Sequence, residues 1–252
     1  MAWKVYAVMR SAGCWVLLAL FTLVIGILHI PSSLIAPEGR APRWLEMAYV
    51  WAILKASNVK LTAVGLEHVE PGKSYIVMAN HRSMYDIPVL HYLLGRGRDL
   101  RWIGKQEVQR VPVFGWAYRL SRHVAIDRQN RKAAIEALES AAAESRDGVS
   151  FVIMPEGTRS TTGELLPFKK GGFHLALDTG LPILPVAIAG SDELMRKGSW
   201  HILPGAIHVA VRPAIETRDL DRDDIEGLIQ RVRGEIESAL RAFFPNPERS
   251  HS

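Results

Sequence analysis

Hydrophobic positions fall into two regimes along the chain. Before residue 60 they are nearly continuous. Ala12 to Ile30 is a run of 19 residues in which only Thr22 and His29 are polar. As a helix it is about 28 Å long at ~1.5 Å per residue, close to the apolar thickness of a bilayer. Lys4 and Arg10 precede it, as in a signal peptide. The run is longer than a signal-peptide core, however, and Pro31-Ser32-Ser33-Leu34 is a poor cleavage site. A membrane-inserted helix is the expectation. Arg43 to Lys55 is again apolar, with charge only at Arg43, Glu46 and Lys55. It is too short to span, and Trp44, Tyr49 and Trp51 suit a membrane interface. Pro31, Pro37, Gly39 and Pro42 are expected to break the chain between the two helices. The pair either dips into one leaflet and returns, or forms one span plus a surface helix. Residues 1–58 read as a membrane-anchoring segment and 59–252 as a separate catalytic domain.

From residue 60 the apolar runs shorten and alternate with amphipathic stretches. Tyr75–Ala79, Val124–Ile126, Phe151–Met154, Ile183–Ile188 and Ile207–Val211 read as strands. Ile87–Leu94, the Ala-rich Arg131–Ser145 stopped by Gly148, and the long Asp219–Phe244 read as helices, with Pro245–Ser252 a frayed tail. Strands alternating with helices predict an α/β fold: a mixed, mostly parallel sheet flanked by helices, with ligands at the carboxyl ends of its strands.

Composition narrows the function. Apolar types make up 48% of the 252 residues and charged types 23%, which excludes a disordered chain. A single cysteine excludes a disulfide framework and a thiolate metal site. The net charge of +5 is concentrated between Arg96 and Lys132, where ten Lys/Arg face three Asp/Glu. Such a run is either a solvated face or a site for an anionic partner. Interleaved Trp102, Phe114, Trp116 and Tyr118 raise single-stranded nucleic acid as a partner, but no nucleic-acid-binding signature accompanies them.

Two loops that follow buried strands directly carry the candidate chemistry. In Asn80-His81-Arg82-Ser83-Met84-Tyr85-Asp86, a histidine just past a strand end becomes a general base if a carboxylate orients its other nitrogen. Five residues apart on one helix, His81 and Asp86 would point about 140° away from each other. The pair therefore requires His81 on the loop and Asp86 at the helix start, where Asp86 reads as an N-cap with Pro88 in the first turn. In Pro155-Glu156-Gly157-Thr158-Arg159-Ser160, an arginine, two hydroxyls and free backbone N–H groups suit a phosphate. The plainer alternative is a polar turn in which Glu156 and Arg159 pair with each other. Lys105 and Arg128 are further cations able to complete a phosphate site, and Arg128 also reads as the local ion-pair partner of Asp127.

Taken together, these segments resemble the glycerolipid acyltransferase family, specifically its bacterial 1-acyl-sn-glycerol-3-phosphate acyltransferases. The likeness covers residues 60 to 212 and consists of four blocks in order. They are Asn80, His81 and Asp86; then Lys105, Glu107, Pro112, Phe114, Gly115, Ile126, Asp127 and Arg128; then Pro155 to Ser160; then Leu184-Pro185-Val186. Two positions depart from the family pattern. Met154 stands where Phe is usual, and Arg122 where the second block usually carries Gly, narrowing the ligand's room or adding a phosphate contact.

The resemblance implies acyl transfer from acyl-CoA or acyl carrier protein to the sn-2 hydroxyl of lysophosphatidic acid, giving phosphatidic acid for phospholipid synthesis. His81 would be the base and Asp86 its orienting carboxylate. Glu156 would hold the glycerol part of the substrate, Arg159, Lys105 and Arg128 its phosphate, and Gly157 and Thr158 would also belong to the substrate-binding residues. No metal or cofactor is expected, and the partners are the bilayer, the lysolipid and the acyl donor, without nucleic acid. The expected location is the bacterial inner membrane, with the catalytic part cytoplasmic. Another lysolipid or glycerol-3-phosphate is the alternative acceptor, and a non-catalytic membrane-bound lipid binder the alternative class. A serine hydrolase lacks its Gly-x-Ser-x-Gly elbow here.

Overall fold

The computed structural model describes residues 2–144 and 148–243. Ser145, Phe244 and the tail Pro245–Ser252 lie outside the described residues. In chain order, α1 (Ala2–Ile35) and α2 (Arg40–Ala56) lead into β1 (Val59–Val64). Then come β2 (Ile76–Ala79), α3 (Asp86–Leu94), β3 (Asp99–Lys105), α4 (Phe114–Leu120), β4 (Val124–Ile126) and α5 (Arg131–Ala143). The chain continues with β5 (Val149–Ile153), α6 (Gly171–Thr179), β6 (Ile183–Ala189), α7 (Ser191–Leu194), β7 (Gly205–Val211) and α8 (Ile225–Phe243).

The seven strands form one sheet in the order β1-β7-β6-β2-β5-β3-β4. Among the strand pairs of the described residues, β6 and β7 alone run antiparallel, so β6, β2, β5, β3 and β4 all end on the same edge. This is the mixed, mostly parallel sheet expected. Its central strands are buried on both faces. Along β2, Val77 and Ala79 join a core shared with α3 and α4, while Ile76 and Met78 join the core under α5, α6 and α8. Two-sided burial is why these strands read as unbroken apolar runs.

The helical hairpin departs from expectation in detail. α1 runs through Pro31 to Ile35, and Pro42 sits in the first turn of α2, where its missing N–H is tolerated. The break is confined to residues 36–39. The helices run antiparallel, with Thr22 bonded to Tyr49 (2.8 Å) and His29 to Glu46 (3.1 Å). The buried residues of α1 are Ala7, Ser11, Cys14, Gly26, His29 and Ser33, at spacings of three, four and their multiples. This small and polar stripe faces the protein; Trp3, Met9, Leu20, Leu23, Val24 and Ile27 point outward. The polarity of an ordinary surface helix is thus reversed. Such an outward face suits association with a membrane. The hairpin also belongs to the fold: Cys14 and Leu54 join the α3-side core, and Arg10 donates to the carbonyls of Ser57 (2.6 Å) and Ile202 (2.5 Å).

A buried polar knot fastens the hairpin to the sheet. Glu46 accepts from Ser121 and His29 and lies 3.7 Å from His91 on α3. Burial alone would raise its pKa. The His29 hydrogen bond, the His123 and His91 charges and the Ser121 hydroxyl outweigh this and hold it down at about 2. Burial pushes His123 down to about 4 and lowers His91. Both signs act in one direction. A depressed histidine stabilises above its ordinary value, and this contribution is lost as pH falls from about 6.5 through 4. The depressed carboxylate adds a second loss as pH falls from about 4.5 through 2. Denaturant titrations across pH 7 to 3 are expected to show falling stability. Glu46→Gln should be less stable at pH 7 and should lack the lower-pH component.

The basic stretch is not one surface. Arg101 is buried in β3 and pairs with Glu144 at 2.7 Å. Of the interleaved aromatics, Trp102 and Tyr118 are core residues, whereas Trp116 is exposed. Arg122 has φ +55, a left-handed conformation in which glycine is free of strain. Its guanidinium turns to Glu38 in the interhelical turn, 2.6 Å away. Arg122 thus clasps the hairpin to the segment after α4.

α8 starts later than expected because Asp221 and Asp224 fold the preceding segment into side-chain-bonded turns. The Asp221 N–H donates to Asp224 (3.0 Å) and the Asp223 N–H to Asp221 (2.8 Å).

Candidate active site

The site grows from the common carboxyl edge of β2 and β5. As β2 ends, Asn80 turns inward and pairs both polar groups of its amide with Ile188 of β6. Its Nδ2 donates to the carbonyl (2.9 Å) and its Oδ1 accepts from the N–H (2.7 Å). The amide thus extends the sheet pairing by one residue and fixes where His81 begins.

The backbone of His81 is gripped on both sides by the loop after β5. Its N–H donates to Glu156 Oε1 at 2.7 Å, and its carbonyl accepts from the Ser160 N–H at 2.8 Å. The imidazole Nδ1 meets Asp86 Oδ2 at 2.8 Å. An ionised carboxylate only accepts, so Nδ1 carries the proton and Nε2 is left as the base. The His81 side chain is 15% exposed and that of Asp86 0%, giving a buried orienting group and a reachable base.

Asp86 does not cap α3 as expected. The N-cap position falls on Tyr85, and Asp86 is the first helical residue. Its Oδ2 looks back instead, accepting the N–H groups of Arg82 (2.8 Å) and Ser83 (2.9 Å) together with Nδ1. One oxygen thus shapes the loop and orients the base, because the loop curls over the helix start.

Glu156 is 3% exposed, and its two oxygens accept backbone N–H groups, from His81 and, at 2.9 Å, from Leu166. Burial raises its pKa; the Leu166 and His81 hydrogen bonds only partly offset this. The resemblance gives this carboxylate to the glycerol part of the substrate, whereas here both oxygens brace the loop that holds His81. The simpler alternative, a Glu156–Arg159 ion pair, is absent among the described residues. Gly157 has φ +70, a left-handed conformation that favours glycine, and lies against the flexible end of Lys169.

The cations gather at the same edge. Arg128 donates to the Gly157 carbonyl, and burial lowers its pKa. Lys197, on the segment after α7, donates to Thr158 Oγ1 (3.2 Å) and to the Arg159 carbonyl (2.9 Å). Among the described residues, no carboxylate pairs with Arg128, Arg159, Lys169 or Lys197. Lys105 is exposed at the end of β3, again without an ion pair. His81 and Asp86 are thus brought into contact, and Glu156, Gly157, Thr158 and Arg128 into one connected loop system. The roles of Asn80 and Lys197 escape sequence reasoning. Cys14 is buried against α2, apart from this site.

A base held by a buried carboxylate, beside a loop carrying unneutralised cations, can deprotonate a hydroxyl on an anionic molecule. Comparison with known proteins agrees. The family model described as Acyltransferase matches residues 60–189. A 1-acyl-sn-glycerol-3-phosphate acyltransferase of Pseudomonas aeruginosa is 30% identical over 207 residues, covering 82% of this chain and 78% of that one. The protein of the same description from Cocos nucifera is 40% identical over 158 residues, covering 62% of this chain. This chain spans 51% of the coconut relative's length and 61% of that from Limnanthes douglasii. The crystal structure of the 1-acyl-sn-glycerophosphate (LPA) acyltransferase from Thermotoga maritima superposes with a TM-score of 0.82, covering 96% of this chain and 98% of that one. At 24% identity this likeness speaks for the fold. Matched by the family model and, over most of its length, by the Pseudomonas protein, the chain belongs to the acyltransferase family.

Proposed function

We propose that the protein transfers a fatty acyl group from a thioester donor, acyl-CoA or acyl carrier protein, to the sn-2 hydroxyl of 1-acyl-sn-glycerol-3-phosphate, forming phosphatidic acid. The observation that carries this reading is the 2.8 Å contact between His81 Nδ1 and buried Asp86 Oδ2, at the strand edge where Arg159 has no carboxylate partner among the described residues. His81 Nε2 takes the hydroxyl proton as the oxygen attacks the thioester carbonyl. The tetrahedral intermediate collapses, the carbon–sulfur bond breaks, and the imidazolium returns the proton to the departing thiolate. Asp86 stabilises the imidazolium in between. Arg159, with Lys105 and Arg128, binds the acceptor phosphate, and Gly157 and Thr158 line its approach. Both substrates are bound at once, and no acyl-enzyme forms.

Residues 1–58 serve as the membrane anchor and the remainder as the transferring domain. The apolar outer face of α1 keeps the site at the surface from which the lysolipid comes. The acyl donors place the catalytic part on the cytoplasmic side, at the inner membrane of a bacterial cell. The test is transfer from oleoyl-CoA and from oleoyl carrier protein, with lysophosphatidic acid, glycerol-3-phosphate and lysophosphatidylcholine offered in parallel. Product from lysophosphatidic acid, and little from the other two, is expected. Preference for lysophosphatidylcholine would move the substrate to a head-group-bearing lipid.

A further inference from the structure

Lys197 lies outside every motif that marks this site, on the segment between α7 and β7. That segment joins the two catalytic loops. Two residues before Lys197, the Met195 carbonyl accepts from Ser83 Oγ at 2.8 Å, and Ser83 is a buried member of the loop that Asp86 holds. Lys197 itself reaches the other loop, donating to Thr158 Oγ1 at 3.2 Å and to the Arg159 carbonyl at 2.9 Å. Gly198 follows with φ +85, so the chain turns sharply just beyond the lysine.

An ammonium carries three N–H donors, and two of them are accounted for by these contacts. Both acceptors are uncharged, and no carboxylate pairs with Lys197 among the described residues. Its charge therefore stays available, next to an arginine that is also unpaired. An ammonium and a guanidinium on adjoining loops, neither with a carboxylate partner among the described residues, suit a dianionic ligand. A phosphate monoester is such a ligand. A phosphodiester head group carries one charge less and is bulkier.

Resting on the reading of the site as that of a lysophosphatidic acid acyltransferase, we infer that Lys197 is a specificity-determining residue for the acceptor. It fixes the Thr158–Arg159 turn through its two hydrogen bonds and adds its charge to that of Arg159 at the acceptor phosphate. Selection of a phosphate monoester over a diester then depends on the loop after α7 as well as on the motif arginine.

The test compares wild type, Lys197→Met and Lys197→Arg in detergent micelles, with KM and kcat measured for lysophosphatidic acid at two ionic strengths. Lys197→Met keeps the apolar stem and removes the charge. It is expected to raise KM for lysophosphatidic acid about tenfold, equivalent to ~1.4 kcal/mol. The kcat should stay within about threefold, KM for oleoyl-CoA should be unchanged, and the salt dependence of the acceptor KM should weaken. Lys197→Arg should restore most of the affinity and the salt dependence. Unchanged acceptor KM in Lys197→Met, or a fall in kcat alone that Lys197→Arg does not rescue, would overturn the assignment and leave a structural brace. A rise in KM for oleoyl-CoA instead would also overturn it, giving the charge to the donor. Wild type that ignores lysophosphatidic acid altogether would overturn the underlying reading, a result recognisable before any variant is compared.

Discussion

His81→Ala is expected to abolish measurable transfer, lowering kcat by about 10³-fold or more, while the acceptor still binds. General acid–base catalysis is worth about 10²–10⁴-fold. Here one imidazole serves both halves of the reaction, taking the hydroxyl proton and returning it to the thiolate. The substitution should leave the loop standing, because its backbone fastenings do not involve the ring. The His81 N–H is held by Glu156, its carbonyl by Ser160, and the next two N–H groups by Asp86 Oδ2. Thermal unfolding close to that of wild type, with turnover lost and lysophosphatidic acid still protecting the protein, is the expected pattern. Substantial remaining turnover would remove His81 from the role of base.

The second large effect is expected at Glu156, and it has a different signature. Glu156→Ala leaves the N–H groups of His81 and Leu166 without their acceptors inside the protein. Each buried unsatisfied donor costs about 1–3 kcal/mol, so the protein should lose about 2–6 kcal/mol of stability. At about 2–4 °C per kcal/mol for a chain of this size, Tm should fall by ~10 °C. Activity should fall as well, because a base displaced by about 1 Å loses roughly 10²-fold in rate. The loss should appear in kcat, with the acceptor KM little changed. Should Tm hold while the acceptor KM rises, Glu156 would instead be a group that grips the glycerol part of the substrate. Calorimetry and steady-state kinetics on the one variant separate the two roles.

Which elements can be read from sequence follows from their burial. β2 and β6 are covered on both faces, so their apolar runs are unbroken and legible. β1 lies at the sheet edge and alternates between half-buried and exposed positions in a short run, and it escapes notice. β3 is hidden by Arg101, whose charge suggests surface although the side chain is buried and paired with Glu144. The apolar length of α1 is plain. Its direction is set by the subtler stripe of Ala7, Ser11, Cys14 and Gly26 that turns toward the protein.

The site divides along similar lines. His81 and Asp86 are legible because they are neighbours in the chain, with one loop controlling both. Asn80 and Ile188 are 108 residues apart, and Lys197 and Thr158 are 39 apart. Only the sheet order, which sets β6 beside β2, and the loop after α7 bring these partners together. Arg122 illustrates the reverse case. Its position is recognisable as one that favours glycine, and the structure supplies the reason in its positive φ. The side chain's destination at Glu38 depends on where the hairpin packs.

The central claim is direct transfer, with His81 activating the acceptor hydroxyl and no acyl-enzyme in between. Its most direct test is rapid-quench measurement of thiol release from radiolabelled oleoyl-CoA, with enzyme in excess, in the absence and presence of lysophosphatidic acid. The account predicts no burst and no protein-bound label without acceptor, then one thiol released per phosphatidic acid formed once acceptor is added. A stoichiometric burst of thiol with label retained on the protein before acceptor is present would contradict it, and would place a covalent nucleophile at the heart of the reaction.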